Sequence, residues 1–368
     1  MEAISFFSGA GGLDLGIRRA GFNIRLALEL EQVYCDTLVN NGHHNVRQGN
    51  VMNYTAERIR DESNLNNNQE IDLIFGGSPC QSFSTAGNRQ AFSDPRGQAM
   101  LKFAELVNDL QPKFFLLENV RGLLSAALRH RPINQRGENF PPLDADEMPG
   151  SALQHLLNIF GNYNVTVQLV NAADYGVPQK RERVFIIGTR NDLSITYNFP
   201  PPTHNEEGAD GLPRWRTFRD IYENLDIEEH HYANYSAERL FYMRMIPQGG
   251  GNWRDLPEEC IQEAMGGAFT SGGGKVGFYR RIKLDKPSPT LLTSPIQKST
   301  NIGHPLEDRP LSIEEYLAIQ EFPKGYQVYG SLSQKYTQIG NAVPVRLAEI
   351  IGVSIAHSIN LLHVKGNG

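Results

Sequence analysis

The feature that most constrains this chain is a short apolar run that ends in a glycine-rich turn, Ile4–Phe7 followed by Ser8-Gly9-Ala10-Gly11-Gly12. Bulky apolar residues over four positions read as a buried strand. The glycines that follow let the backbone turn tightly into a helix and approach a bound group closely. That is the opening of an α/β unit. It differs from the dinucleotide fingerprint G-x-G-x-x-G, because Asp14 stands where the third glycine belongs, which weakens a nicotinamide reading. A second strand, Ile24–Glu29, ends in an acid twenty positions after Gly9, where a nucleotide site places a carboxylate for ribose hydroxyls. The competing reading of Glu29 is a solvated strand end.

The same pattern recurs twice. Ile71–Phe75 runs into Gly76-Gly77-Ser78-Pro79-Cys80-Gln81-Ser82-Phe83-Ser84, so a thiol stands at the carboxyl end of a strand. Ligands bind at that edge of an open α/β sheet, and a cysteine fixed there by proline is placed for nucleophilic attack; the alternative is a small buried hydrophobe. Lys113–Leu117 runs into Glu118-Asn119-Val120, which puts a carboxylate on the same rim, as an acid for catalysis or as a turn cap. Helix 152–160 and strands 164–170 and 183–190 continue the alternation. Arg181 and Arg183, at i and i+2, share one face if extended.

With 368 residues, 40% of them hydrophobic, two domains are expected. Three cysteines without a C-x-x-C pair fit a reducing compartment, and Cys35 reads as core within a helix at 32–40. His43 and His44 read as solvated loop residues, and no metal site is expected. The N-terminus lacks a basic leader and no uninterrupted apolar run of membrane-spanning length is evident, so a cytoplasmic protein without membrane attachment is expected. Residues 129–149 read as a polar, exposed insertion. The net charge of −6 argues weakly against nucleic acid. Between Thr270 and His304, however, Lys275, Arg280, Arg281, Lys283, Lys286 and Lys298 face the single acid Asp285, and this basic strip lies beside Gly272-Gly273-Gly274. Phosphate contact depends on such local charge.

These segments resemble the DNA cytosine-5 methyltransferases of bacterial restriction-modification type over nearly the whole chain. Phe7-Ser8-Gly9-Ala10-Gly11-Gly12 is similar to the family's first motif, Gly77-Ser78-Pro79-Cys80-Gln81 to its Pro-Cys loop, Glu118-Asn119-Val120 to its Glu-Asn-Val motif and Gln179-Lys180-Arg181-Glu182-Arg183 to its Gln-x-Arg-x-Arg motif. Arg309-Pro310-Leu311-Ser312-Ile313-Glu314-Glu315, running on to Phe322-Pro323, and Gln338-Ile339-Gly340-Asn341-Ala342-Val343 match the last two. Six motifs in the family's order carry the resemblance.

The resemblance implies a Rossmann-like, S-adenosylmethionine-dependent methyltransferase with a mixed sheet and a smaller target-recognition domain. The catalytic domain would span 1–190, completed by 330–368 through an apolar helix at 343–361, and the recognition domain 191–329. Cys80 would add to C6 of a flipped-out cytosine, Glu118 would bond N3 and N4, Arg183 would contact O2, and Arg181 would support the loop. Phe7, Gly9, Gly11, Gly12, Glu29, Asn50, Pro79 and Asn341 would hold the cofactor. Gln81, Ser84, Lys275, Arg280, Arg281 and Lys283 would touch double-stranded DNA. There are two departures: the family's Gly-Asp reads Gly49-Asn50 here, and Leu30 follows Glu29 where an aromatic residue is frequent. A monomer is expected, paired in function with a restriction endonuclease but needing no stable complex with it. An RNA cytosine methyltransferase on the same scaffold is the alternative, though that branch's Cys-Phe-Thr signature is absent. A non-enzymatic DNA-binding relative should have lost Cys80 or Glu118, and both are kept.

Overall fold

The computed structural model describes residues 1–66, 68–79, 92, 94–272 and 274–365. Two compact units divide the chain. The first comprises Met1–Val170, Glu182–Pro201 and Ala348–Gly368; the second comprises Asn171–Arg181 and Pro202–Leu347.

The first unit is a sheet of seven strands among the described residues. β1 (Glu2–Phe6), β2 (Asn23–Glu29), β3 (Val46–Gln48), β4 (Leu73–Gly77), β5 (Phe114–Val120), β6 (Tyr163–Asn171) and β8 (Glu182–Arg190) lie in the order β3-β2-β1-β4-β5-β8-β6, and β7 (Gln179–Lys180) lies outside it. β1, β2, β3, β4 and β5 pair in parallel, and β8 runs antiparallel to β5. The apolar runs read from the sequence are these strands, displaced by up to three residues at their ends. They are buried because helices cover the sheet: α1 (Gly12–Arg19), α2 (Gln32–Asn40), α3 (Ala56–Glu62), α4 (Pro95–Leu110), α5 (Ser151–Ile159) and α11 (Val345–Lys365).

α4 begins at a strong start signal. Asp94 caps it by accepting from the Arg96 N–H at 2.8 Å, and Pro95 occupies the first turn. Its buried face, Met100, Phe103, Ala104 and Val107, packs on the strands, with Phe103 edge-on to Phe6 at 5.9 Å. Gly188 in the middle of β8 lies opposite Phe115, whose ring would sit 2.0 Å from a Cβ there, so the gap admits the ring and its stack on Phe160 at 4.1 Å. Helices α1 and α11 meet at glycines: a Cβ on Gly16 would lie 2.4 Å from the Ala348 Cβ, and one on Gly352 2.8 Å from the Ala20 Cβ. The stretch Leu332–Leu362 is long and apolar enough to cross a bilayer, but 61% of its most apolar window is buried in the protein, and its later part is a core helix.

The second unit holds α6 (Phe218–Tyr222), α7 (Ala237–Met243), α8 (Glu258–Met265), α9 (Ile313–Ile319), α10 (Leu332–Asn341) and a ribbon of β7 with β9 (Ser288–Pro289). Its frame is polar and buried. Arg309 grips Glu315 through two bonds of 2.9 and 2.8 Å, and Glu315 also closes the capping box with Ser312 at the start of α9. The segment 171–181 joins this unit, as does 330–347, where the sequence placed both in the catalytic domain. Arg181 helps to join them: fully buried, it donates to the carbonyls of Leu291, just past β9, at 3.1 Å and of Gly340 in α10 at 2.9 Å.

One local expectation changes. His43 is buried, and burial pushes its imidazole down to about 3, so it is a neutral core residue rather than a solvated one. The 129–149 insertion is stapled by its own ions: Arg131 pairs with the buried Glu147, Arg129 pairs with Asp144, and Asp144 and Glu147 form a capping box. Cys35 is core as expected, and burial pushes its thiol up to about 12.

Candidate active site

The carboxyl ends of β1, β2, β4 and β5 form one rim of the first unit. At β1 the chain leaves the strand through Phe7, which takes the left-handed conformation (φ 57°) with its N–H on the Leu28 carbonyl at 2.9 Å. Gly9 (φ 56°) and Gly11 (φ 78°) keep the backbone left-handed up to the start of α1, a shape that costs a side chain about 1 kcal/mol or more. Gly12 is the first residue of that helix. Beneath the turn the Ser5 and Ser8 hydroxyls are 2.9 Å apart. Asp14 is wholly buried, and burial pushes its carboxyl up to about 6. The residue that breaks the dinucleotide fingerprint is thus a buried acid in the first turn of α1.

At the end of β2, Glu29 accepts three backbone N–H bonds: from Gly9 at 2.7 Å, Leu30 at 2.8 Å and Glu31 at 3.0 Å. The acid and the glycine turn are therefore one structure, which is what their spacing implied. Burial of Glu29 raises its carboxyl above the ordinary range, and the backbone donors pull against that. A strand-end carboxylate joined to a glycine turn at a helix N-terminus is a donor and acceptor set that suits the ribose and charged tail of S-adenosylmethionine. Leu30 is exposed beside it. Asn50, also exposed, uses its Oδ1 to cap a short turn by accepting from Met52 N–H at 3.0 Å.

At the ends of β4 and β5, Gly77 and Glu118 are neighbours in the parallel ladder. Glu118 is buried, and Arg183 on β8 places Nε 2.9 Å from its Oε1. Asn119 turns the other way and donates to Ser78, to its Oγ at 3.0 Å and its carbonyl at 3.3 Å, which locks the last residues before Pro79 onto β5. Pro79 is half-buried at the end of the described segment. Cys80, Gln81 and Ser84 lie outside the described residues. Gly77, Ser78 and Asn119 carried no assigned role in the sequence, although their place inside the Pro-Cys and Glu-Asn-Val segments was the signal for one.

The remaining expected site residues belong to the second unit. Arg181 is a brace there, with its guanidinium on carbonyls of Leu291, Gly340 and Asn341. Asn341 ends α10 with an exposed side chain and accepts from Arg181 through its main-chain oxygen. The basic strip splits. Arg281 is 2% exposed and donates to the carbonyls of Met243, Ile246, His304 and Glu307 and to the Asp308 carboxylate. It is a keystone of the fold and no base reader. Arg280 is half-buried with Nε on the Asn301 carbonyl at 3.2 Å. Lys283 is exposed with its stem across Gly250, and Lys275 bonds the Phe269 carbonyl near that residue's ring.

A mixed sheet with a glycine turn and acid at β1 and β2 and an Arg-gripped glutamate at β5 defines the class: an S-adenosylmethionine-dependent methyltransferase. Comparison with known proteins specifies it. The family model for C-5 cytosine-specific DNA methylase matches residues 1–357, and the chain belongs to that family. It is 36% identical to the type II methyltransferase M.Sau96I of Staphylococcus aureus over 358 residues, 96% of this chain and 75% of that protein. It is 37% identical to M.PspPI of a Psychrobacter species over 97% of this chain and 79% of the other. Among solved structures, an E. coli prophage-encoded protein described as a DNA modification methyltransferase aligns with a TM-score of 0.64 and 25% identity, covering 98% of this chain and 99% of that one. The S. pombe Dnmt2 methyltransferase shares the fold at TM-score 0.58 and 14% identity. The chain is thus a DNA cytosine-5 methyltransferase that uses S-adenosylmethionine.

Proposed function

We propose that the enzyme methylates a cytosine within a specific duplex sequence by adding Cys80 to C6 of a base rotated out of the helix, and that it protects host DNA from a partner endonuclease in the cytoplasm. The observation that carries the reading is the buried Glu118 carboxyl held at 2.9 Å by Arg183 on the rim where the Cys80 turn begins. C5 of cytosine is a weak nucleophile, and C6 is out of reach inside a stacked duplex. Glu118, in its protonated form, donates to N3 and accepts from the N4 amino group, so negative charge that builds on the ring during attack is neutralised at N3. Arg183 fixes that carboxyl and faces the O2 edge. Thiolate addition at C6 makes C5 an enamine carbon. Bound S-adenosylmethionine supplies the electrophilic methyl group that such a carbon can accept. The C5 proton then passes to solvent, its electron pair re-forms the C5–C6 double bond, and the C6–S bond breaks to release the Cys80 thiolate, which restores the aromatic ring.

Asn119 positions the Cys80 turn through Ser78, and the Gly9 turn with Glu29 seats the cofactor. Asn50 borders that seat in this reading. DNA phosphates are met by Lys275 and Lys283, and Arg280 contributes from the second unit, with Gln81 and Ser84 beside the extruded base. The protein acts as a monomer and needs no stable complex with the endonuclease. Duplex DNA carrying 5-fluorocytosine at the target tests the mechanism, because fluorine at C5 blocks the final elimination. A denaturant-stable adduct that forms with S-adenosylmethionine and disappears in Cys80→Ser is expected; a wild-type enzyme that methylates normal DNA yet yields no adduct would overturn the covalent route.

A further inference from the structure

We propose that Gly77 is a positioning residue for methyl transfer: its missing side chain is the space in which the Glu118 carboxyl group lies. The proposal rests on the reading of Glu118 as the group that binds the cytosine ring. Gly77 and Glu118 are directly paired in the β4–β5 ladder. A Cβ built on Gly77 would stand 2.8 Å from Glu118 Oε2 and 3.9 Å from its Cδ, and among the described residues nothing else lies within 4 Å of that point. The backbone at Gly77 is not left-handed, so no conformational demand calls for glycine there. The demand comes from one carboxyl group.

The neighbouring glycine shows the contrast. A Cβ on Gly76 would meet the Phe6 carbonyl oxygen at 2.6 Å and the Phe7 ring at 3.2 Å, so that glycine serves strand packing and the cofactor turn. Gly77 serves Glu118 alone. On the opposite side Arg183 Nε holds Oε1 at 2.9 Å, and the Glu118 backbone is fixed between β4 and β8. The carboxyl thus has a grip on one oxygen and clearance behind the other. A methyl group at position 77 must drive Oε2 away from β4 by several tenths of an ångström, because contacts under 3.0 Å are not sustained between heavy atoms of this kind. A displacement of about 1 Å at a reacting centre costs about 10²-fold in rate.

Single-turnover methylation of a target duplex by wild type, Gly77→Ala, Glu118→Asp and the double variant tests this, with DNA and cofactor affinities measured in parallel. Gly77→Ala is expected to lower the methyl-transfer rate about 10- to 100-fold while both affinities stay within about twofold. In the Glu118→Asp background, where the shorter acid leaves the space vacant, adding Gly77→Ala is expected to change the rate by less than about twofold. Equal slowing in both backgrounds, loss of affinity in place of rate, or failure of Gly77→Ala to fold would each overturn the proposal, since each requires a contact other than the carboxyl. If Glu118→Asp alone leaves the rate unchanged, the catalytic reading of Glu118 fails, a result separate from the fate of Gly77.

Discussion

Arg183 reaches Glu118 diagonally. The residue opposite Glu118 in the antiparallel β5–β8 ladder is Phe185, and Arg183 is opposite Val120, yet its Nε lies 2.9 Å from the Glu118 carboxylate. Two positions along a strand return to the same face, so the pair is a same-face diagonal contact of the kind long side chains make across a ladder. Because β8 is antiparallel to β5, the first residues of β8 fall beside the last residues of β5, and the arginine arrives at the rim from the opposite chain direction.

Glu118→Gln keeps the shape of the side chain and a hydrogen bond but removes the transferable proton. Its rate of methyl transfer is expected to fall by about 10²–10⁴-fold with DNA affinity little changed. Pre-steady-state methylation against equilibrium binding checks it; an effect confined to the Michaelis constant would reduce Glu118 to a binding residue.

Cys80→Ser replaces a thiol, a few per cent ionised at neutral pH, by a hydroxyl that is essentially never ionised there. DNA and cofactor binding are expected to persist and methyl transfer to vanish in a tritiated-methyl assay.

Asp14 links pH to stability. Its folded carboxyl is raised from 3.8 to about 6 by burial, so between those values the native state holds more protons than the unfolded one. Stability therefore falls as pH rises from about 4 to about 6 and then levels off. The ionised group costs about 3 kcal/mol at neutral pH, from two pKa units at about 1.4 kcal/mol each. Asp14→Asn is expected to gain stability relative to wild type between pH 4 and pH 7. Denaturation midpoints at both pH values measure it, and a pH-independent difference would show that Asp14 is not the titrating group.

The basic strip predicts a division of labour. Lys275→Ala and Lys283→Ala are expected to weaken binding alike on target and scrambled duplexes and to reduce the salt slope by about one each. Arg281→Ala is expected to destabilise the fold by on the order of 3 kcal/mol, since it orphans several buried carbonyls and leaves Asp308 without its partner. Melting curves together with salt titrations separate the two outcomes.

How far the sequence could be read depended on the range of the contacts. Ile4–Phe7 and Lys113–Leu117 announce themselves as strands because burial on both faces is written in consecutive apolar residues, and Glu29 is placed by its distance from Gly9 along a single βα unit. Arg281 was misread because its partners, from Met243 to Asp308, are scattered over the chain, and a count of cations does not distinguish a buried guanidinium from an exposed one. The partners of Arg181 are as remote in the chain: two positions from Arg183, it donates to the carbonyls of Leu291 and Gly340. His43 sits in a polar stretch whose composition says loop, and only the packing around it makes it core.

The contact of Gly16 with Ala348 has a consequence for biosynthesis. A helix made among the first twenty residues waits for a partner translated more than three hundred residues later. Through most of translation the α1 face that receives α11 has nothing to cover it, while the whole intervening second unit can emerge and fold. The cofactor turn at Gly9–Gly11 is anchored on that same helix, so the nascent enzyme gains a firm cofactor seat only once α11 has been made and docked. Methylation competence should therefore await α11, and chains truncated or stalled before that helix should add no partly active methyltransferase to the cell.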